Sequence, residues 1–326
     1  LRTKILGTGS NLPERVLTNF DLEKMVDTSD EWIVTRSGIR ERRIVDPEVP
    51  SSELALPAAK TAMEDAGITP EDLDAIIVAT VTPDMPFPST ACLLQHKLGC
   101  RRIPGFDISA GCTGFLYGTI LADSLIRSGD HKCVLVIGVE ELTKITNWTD
   151  RGTCVLFGDG AGAIVMGVSD DDDKGIIGKY WSGDGGVSHY LKQIAGGSIM
   201  PACKESVEKN LHTVYMLGNE TFKTAVRAME EASIEALKDA NLDMEDLDWL
   251  IPHQANIRII EFTAKRLKLP MDRVVITIDK YGNTSAASVP ISLDEALKDG
   301  KIKEGDEALL VAFGAGFTWG GTVIRF

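Results

Sequence analysis

Residues 62–74 read Ala-Met-Glu-Asp-Ala-Gly-Ile-Thr-Pro-Glu-Asp-Leu-Asp, and residues 236–248 read Ala-Leu-Lys-Asp-Ala-Asn-Leu-Asp-Met-Glu-Asp-Leu-Asp. Seven of the thirteen positions are identical at a shift of 174: Ala62 and Ala236, Asp65 and Asp239, Ala66 and Ala240, then Glu71 to Asp74 and Glu245 to Asp248. Both stretches follow a helical pattern and run into an apolar strand, at 75–80 and at 249–252. A second match follows at a shift of 176, where Ile126-Arg-Ser-Gly-Asp130 precedes the apolar run from Cys133 and Ile302-Lys-Glu-Gly-Asp306 precedes the run from Ala308. Two matches in one order, at nearly one shift, indicate a duplicated unit.

Outward from these stretches, each unit alternates helices with short apolar strands. Strands are predicted at 3–8, 75–80, 104–109, 133–139 and 161–168, and again at 175–181, 248–252, 273–278, 307–313 and 321–325. Continuous apolar strands between helices predict mostly parallel sheets covered on both faces. The acidic run Asp170 to Asp173 marks a junction between an N-terminal half, 1–172, and a C-terminal half, 173–326. The expectation is an α/β protein of two similar halves packed as layers, with a site where they meet.

With 326 residues, 44% of them hydrophobic, the chain can bury a large core. No run of 18 apolar residues occurs, and the first residues read as a strand, without the features of a signal peptide. A cytoplasmic protein is expected. A net charge of -14 disfavours nucleic acid and anionic membranes, so an anionic substrate needs a local basic cluster. The six cysteines form no Cys-x-x-Cys pair, and no histidine stands at metal-site spacing from another ligand, so no metal is expected. His96, His131, His189 and His212 read as surface or helix positions. Gly158-Asp-Gly-Ala-Gly162 lacks the spacing of a dinucleotide loop and leads into a strand, which points to close backbone packing.

One cysteine differs in setting. In Gly105-Phe-Asp-Ile-Ser-Ala-Gly-Cys112-Thr-Gly, an apolar strand ends near Ser109 and a helix begins just past Cys112, with small residues on either side. Such a turn lifts a side chain clear of the backbone, and the helix N-terminus is expected to lower the thiol pKa. His253, in Pro252-His-Gln-Ala-Asn256, lies just past a strand end. Asn283, in Tyr281-Gly-Asn-Thr-Ser-Ala-Ala-Ser288, lies in a small-residue turn entering a helix, at a place roughly parallel to that of Cys112. Singly, each has an ordinary reading as a core cysteine, a loop histidine or a turn asparagine. Jointly, they suggest a nucleophile with two hydrogen-bonding partners.

With these residues, the chain resembles the β-ketoacyl-acyl carrier protein synthase III family of the thiolase-like superfamily. Six phrases carry the resemblance from end to end: Asp30 to Arg40, Ser109 to Phe115, Leu156 to Ala163, His253 to Asn256, Tyr281 to Ala287 and Phe313 to Trp319. It implies a duplicated thiolase-like fold in an αβαβα arrangement and a catalytic triad of Cys112, His253 and Asn283. It implies CoA near Thr28, Trp32, Arg36, Arg151 and Asn256, with adenine between Trp32 and Arg151. It implies an acyl pocket at Phe157 completed by Phe87 of a second subunit, hence a homodimer. Arg258 and Lys265, continued by Arg266 and Lys268, are implied to dock an acidic carrier protein.

The implied reaction joins an acyl-CoA primer, acetyl or short and branched, to malonyl-acyl carrier protein through an acyl-Cys112 intermediate. It needs no cofactor beyond the CoA thioester substrate. Sulfur suits thioester exchange, His253 and Asn283 can donate to an enolate oxygen, and the N–H groups of Cys112 and Ala315 can hold a tetrahedral oxyanion. Three alternatives stand beside it. A papain-like protease has Cys, His and Asn in this order, but its local cysteine phrase is absent. A related acyltransferase making polyketide or quinolone starters is the nearer rival, and a non-catalytic binding role is the third.

Overall fold

The computed structural model describes residues 1–326. In chain order the first half supplies β1 (Thr3–Asn11), α1 (Asp30–Ser37), α2 (Ser51–Asp65), β2 (Ala75–Ala79), α3 (Thr90–Leu98), β3 (Gly105–Ile108), α4 (Gly114–Arg127), β4 (Cys133–Glu141) and β5 (Asp159–Val168). The second supplies β6 (Gly175–Gly183), β7 (Leu191–Gln193), β8 (Val214–Met216), α5 (Gly218–Ala240), β9 (Trp249–Pro252), α6 (Ile257–Arg266), α7 (Ser288–Lys298), β10 (Glu307–Gly314) and β11 (Thr318–Arg325). One sheet has the order β1-β5-β4-β2-β3, the other β9-β10-β11-β6. Five layers result: α2 with α3, the first sheet, α4 with α7, the second sheet, and α5.

The duplication holds at the level of register. Ala75 pairs with Val134 across β2 and β4, and Trp249 pairs with Ala308 across β9 and β10, both members displaced by 174. The shift of 176 in the preceding loops is therefore absorbed before the strands begin. The sheets are mixed, not mostly parallel: β2 runs parallel to β3 and β4, and β9 to β10, whereas β5 and β11 fold back antiparallel on their neighbours. Burial explains the misreading. Every residue of β4 is buried, so the strand is apolar on both faces whatever its direction. Val134 and Val136 face the middle helices while Leu135 and Ile137 face α2. Burying each such side chain is worth about 1.5–3 kcal/mol.

The predicted strand at 273–278 is also corrected. Only a bridge between Leu250 and Val274 forms, matching the Ile76–Gly105 pairing of the first half. Beyond it the Gln254 carboxamide takes over the ladder: it donates to Pro252 O (2.8 Å) and Val275 O (3.1 Å) and accepts from Thr277 N (2.9 Å) and Ile278 N (3.1 Å). A side chain has replaced a strand's hydrogen bonds, so the segment turns away.

α4 is buried between the two sheets, and its glycines permit the approach: a Cβ on Gly118 would lie 3.0 Å from Val136 Cγ1. Gly158 and Gly162 likewise admit second-half backbone, since a Cβ would meet Tyr281 O at 2.3 Å and Ile291 N at 2.7 Å. No helix is long and apolar enough to cross a membrane.

Candidate active site

The Cys112 turn is built by contact between two loops. Gly111 has φ +56°, a left-handed conformation that glycine takes freely, and a Cβ there would lie 2.6 Å from Ala315 N. Reciprocally, a Cβ on Gly314 would lie 2.5 Å from Cys112 N. Thr318 Oγ1 donates to Ala110 O (2.8 Å) and Thr113 Oγ1 to Thr318 O (3.0 Å), pinning the loops together. The Ala315 N–H, in the loop between β10 and β11, makes no backbone hydrogen bond.

His253 follows β9, its N–H donating to Val311 O at 2.8 Å. Its Nδ1 lies 2.6 Å from Ser288 Oγ, which also accepts the Gln254 N–H at 3.3 Å. The Ser288 hydroxyl has no other acceptor, so its hydrogen goes to Nδ1 and the imidazole proton sits on Nε2. That nitrogen is buried and without a partner. Asn283 is fixed by backbone bonds to Leu156 O (2.8 Å) and from Gly158 N (3.1 Å). Its Oδ1 accepts the Ser285 N–H at 2.8 Å, which leaves Nδ2 as a donor.

Cys112, His253 and Asn283 line one inner cavity of ≈ 100 Å³ with Phe157 and Phe313. Cys112 also opens onto a largely apolar pocket of ≈ 270 Å³ walled by Val81, Leu142, Ile145, Phe157 and Leu191. On the other side, Leu156, Met216 and Phe222 connect the inner cavity to an outer mouth of ≈ 390 Å³ bearing Trp32, Arg36, Lys223, Asn256 and Arg258. The route is therefore basic outside, apolar within, and passes the thiol.

Electrostatics modify the expectation for the nucleophile. Burial pushes the Cys112 thiol up to about 12, the Ser285 hydroxyl pulling down and the Glu140 charge pushing up. The predicted lowering by the helix N-terminus is overridden, because desolvating a thiolate outweighs a partial dipole charge. Burial also lowers His253 to about 3, so the imidazole is neutral. The resting pair is thiol and imidazole rather than an ion pair.

The remaining expected residues divide. Trp32, Arg36, Asn256 and Arg258 share the mouth, and Phe157 lines both inner spaces. Arg151 lies on Trp32 at 4.8 Å and Arg36 lies over the same ring at 5.0 Å, so the slot expected for adenine is closed by the arginine itself. Both ends of the Asn256 amide are engaged, to Arg36 O and from Arg258 N at 2.9 Å each. Thr28 does not line this mouth, and its Oγ1 is buried without a partner. Phe87 is 83% exposed, outside its own subunit's pocket. Arg258 stacks on Phe222 at 5.2 Å, and Lys265 is exposed two turns along α6. Arg266 and Lys268 face Glu230 and Glu245, and Lys268 lies past the helix end, so the expected basic stretch shrinks to its first members.

Sequence reasoning missed Ser285, Ser288, Gln254 and Glu140, and it missed the two-stranded β7–β8 sheet that borders the apolar pocket. The first three lie inside phrases already singled out, where only their neighbours drew notice. Glu140 carried a signal of its own: a carboxylate closing an apolar strand at the end where α/β sheets place their sites.

The chain has relatives among known proteins along its whole length. Residues 106–185 match the family model of 3-oxoacyl-[acyl-carrier-protein] synthase III, and residues 237–326 match that of its C-terminal region. β-Ketoacyl-[acyl-carrier-protein] synthase III of Caldanaerobacter subterraneus subsp. tengcongensis is 61% identical over 99% of this chain and 97% of its own. The crystal structure of the Aquifex aeolicus VF5 synthase III superposes with TM-score 0.92 at 49% identity, covering 99% of this chain and 100% of that one. The priming β-ketosynthase of the R1128 polyketide pathway superposes equally, TM-score 0.92, at 35% identity over 99% of this chain and 96% of its own. A thiol, an imidazole and a carboxamide around one cavity, in a chain this similar from end to end, place the protein in the β-ketoacyl-acyl carrier protein synthase III family, the thiolase-fold condensing acyltransferases of fatty-acid synthesis.

Proposed function

We propose that the protein condenses an acyl-CoA primer with malonyl-acyl carrier protein, giving 3-ketoacyl-carrier protein, CoA and CO2. The observation that carries this reading is the shared cavity of Cys112, His253 and Asn283, fed from a basic mouth and backed by an apolar pocket. Arg36, Lys223 and Arg258 suit the phosphates of CoA against the overall charge of -14. Trp32 receives the adenine once Arg151 swings off its ring. Cys112 Sγ attacks the acyl carbonyl, the C–S bond to CoA breaks, and the thiol proton ends on CoA. The acyl chain lies in the pocket past Phe157, closed by Phe87 of a second subunit in a homodimer.

In the second half-reaction malonyl thioester loses CO2, and the enolate oxygen receives hydrogen bonds from His253 Nε2–H and Asn283 Nδ2–H. A neutral amide suits this place because a carboxylate there would repel the enolate. The carbanion then attacks the acyl-Cys112 carbonyl, whose oxyanion is held by the N–H groups of Cys112 and Ala315; its collapse breaks the bond to Sγ, frees the 3-ketoacyl-carrier protein, and the Cys112 thiolate takes up a proton from solvent. One such donor is worth about 2.7–4 kcal/mol. Arg258 and Lys265 offer the carrier protein a basic landing.

The test is product analysis by mass spectrometry with labelled acyl-CoA, supplied with malonyl-acyl carrier protein or with malonyl-CoA. The reading predicts labelled 3-ketoacyl-carrier protein from the first. Product from malonyl-CoA alone would favour a starter-unit enzyme of the kind the polyketide relative represents.

A further inference from the structure

The scheme above leaves one buried acid next to the nucleophile unused. Glu140 is the penultimate residue of β4 and is fully buried. Its carboxyl receives the Thr82 hydroxyl (2.8 Å), the Val81 N–H (3.2 Å) and the Ser285 hydroxyl (3.0 Å). All three are neutral donors, and no Lys or Arg pairs with it. The titratable groups nearby are Cys112 on the facing turn and, on its own strand, Glu141, which is turned to Lys144 at 2.7 Å. The loop after β2 and the turn before α7 present only hydroxyls and amides to it. Burial pushes its carboxyl up to about 7, the hydrogen bonds from Thr82, Val81, Ser285 and Ala286 pulling the other way.

Ser285 stands between the acid and the thiol. Its hydroxyl bonds Glu140 at 3.0 Å, it lines the apolar pocket together with Cys112, and it pulls the Cys112 thiol's pKa down against burial. The serine holds φ +48°, a conformation unfavourable for a side-chain-bearing residue, while 2% exposed. Strain retained at a buried hydroxyl between a thiol and a carboxyl indicates that the hydroxyl's position is used.

We propose that Glu140, through the Ser285 hydroxyl, takes up the Cys112 proton as the acyl group arrives and returns it to the departing CoA sulfur. The Cys112 S–H bond breaks as Ser285 Oγ gains that proton. Ser285 gives its own hydrogen to Glu140 Oε1. Sγ then bonds the acyl carbon, the C–S bond to CoA breaks, and reverse passage protonates the CoA thiolate. No other reactant is needed. Glu140 is a positioning residue for the proton and never touches substrate. The inference rests on the acyl-transfer reading above.

The test is rapid-quench acylation followed by intact mass, from about pH 5.5 to about pH 9, using the acyl-CoA that labels the wild type fastest. Wild-type acylation is expected to rise through about pH 7. Glu140→Gln should slow it roughly 100-fold at neutral pH and remove that inflection. Decarboxylation of malonyl-carrier protein, which uses His253 and Asn283, should change less than about 3-fold in the same variant. Ser285→Gly tolerates the backbone angle and keeps the N–H to Asn283, so it tests the relay even if Glu140→Gln folds poorly. It should reproduce the slow acylation, with no further loss in the double variant. Wild-type acylation rates in either variant, or equal loss of both half-reactions, would overturn the relay while leaving the acyl-transfer reading intact. No acylation of the wild type by any acyl-CoA would overturn both.

Discussion

The turn that carries Cys112 and the turn that precedes α7 are two copies of one structure. Each is a single 3-10 turn entering a buried helix of the middle layer: Gly111–Thr113 before α4, Ser285–Ala287 before α7. The displacement is 174 again, 285 minus 111, and the left-handed first residue recurs, φ +56° at Gly111 and +48° at Ser285. In this register the counterpart of Cys112 is Ala286, not Asn283, which lies three residues earlier. The copies have divided the work. The first uses glycine to press backbone on backbone and exposes a sulfur. The second keeps the same angle on a serine whose hydroxyl bonds Glu140 and whose N–H bonds Asn283 Oδ1, and three residues on it carries Ser288, which bonds His253 Nδ1.

The largest effect comes from exchanging the roles. Cys112→Ala gives the first turn the residue of the second and should abolish acyl transfer, a loss of roughly 10⁴-fold or more. Adding Ala286→Cys should restore nothing, because Ala286 is fully buried and lines neither the inner cavity nor the apolar pocket. Intact-mass labelling with acyl-CoA reads both.

The glycine and serine should respond in opposite ways. Gly111→Ala places a methyl 2.6 Å from Ala315 N at φ +56° and should destabilise the protein by about 2–4 kcal/mol. Ser285→Gly removes a hydrogen bond but relieves the strained angle, and should fall within about 1 kcal/mol of wild type. Urea denaturation of the two variants measures the difference.

Ser288→Ala deprives His253 Nδ1 of its donor and frees the proton from Nε2. Malonyl decarboxylation should fall about 10- to 100-fold while Cys112 acylation is little changed. Loss of acylation alone would show that Ser288 serves the first turn instead.

A smaller effect separates the two buried titratable groups by sign. Glu140 rises from 4.5 to about 7, so the native state keeps a proton that the unfolded chain releases. Its contribution is complete below about pH 4.5 and is lost as pH rises through about 7. His253 falls from 6.5 to about 3, so its contribution is present above 6.5 and is lost as pH falls toward 3. Glu140→Gln should therefore gain stability relative to wild type between about pH 5 and about pH 8, by up to about 3 kcal/mol. A constant difference across that range would contradict the buried, unpaired carboxyl.

The sequence revealed the duplication, the elements around it and the three residues of the inner cavity, because helical period, apolar runs and small-residue turns are local signals. It did not reveal strand direction, since β4 and β5 are buried on both faces and carry no alternation. Nor did it reveal that 274 onward leaves the sheet, which depends on one carboxamide, Gln254, reaching across a chain gap of more than twenty residues. The thiol's pKa was misjudged for a related reason: the helix N-terminus is visible in a sequence, and the desolvation that defeats it is not. Glu140 and Ser285 escaped notice because their meaning lies in each other, 145 residues apart.

The central claim is that one sulfur, out of six cysteines, receives the acyl group. Peptide mapping of protein treated with labelled acyl-CoA tests it most directly. The account predicts label on the peptide containing Cys112 alone, and none in Cys112→Ala. Label on any other cysteine at comparable yield, or an unlabelled wild-type Cys112, would contradict it.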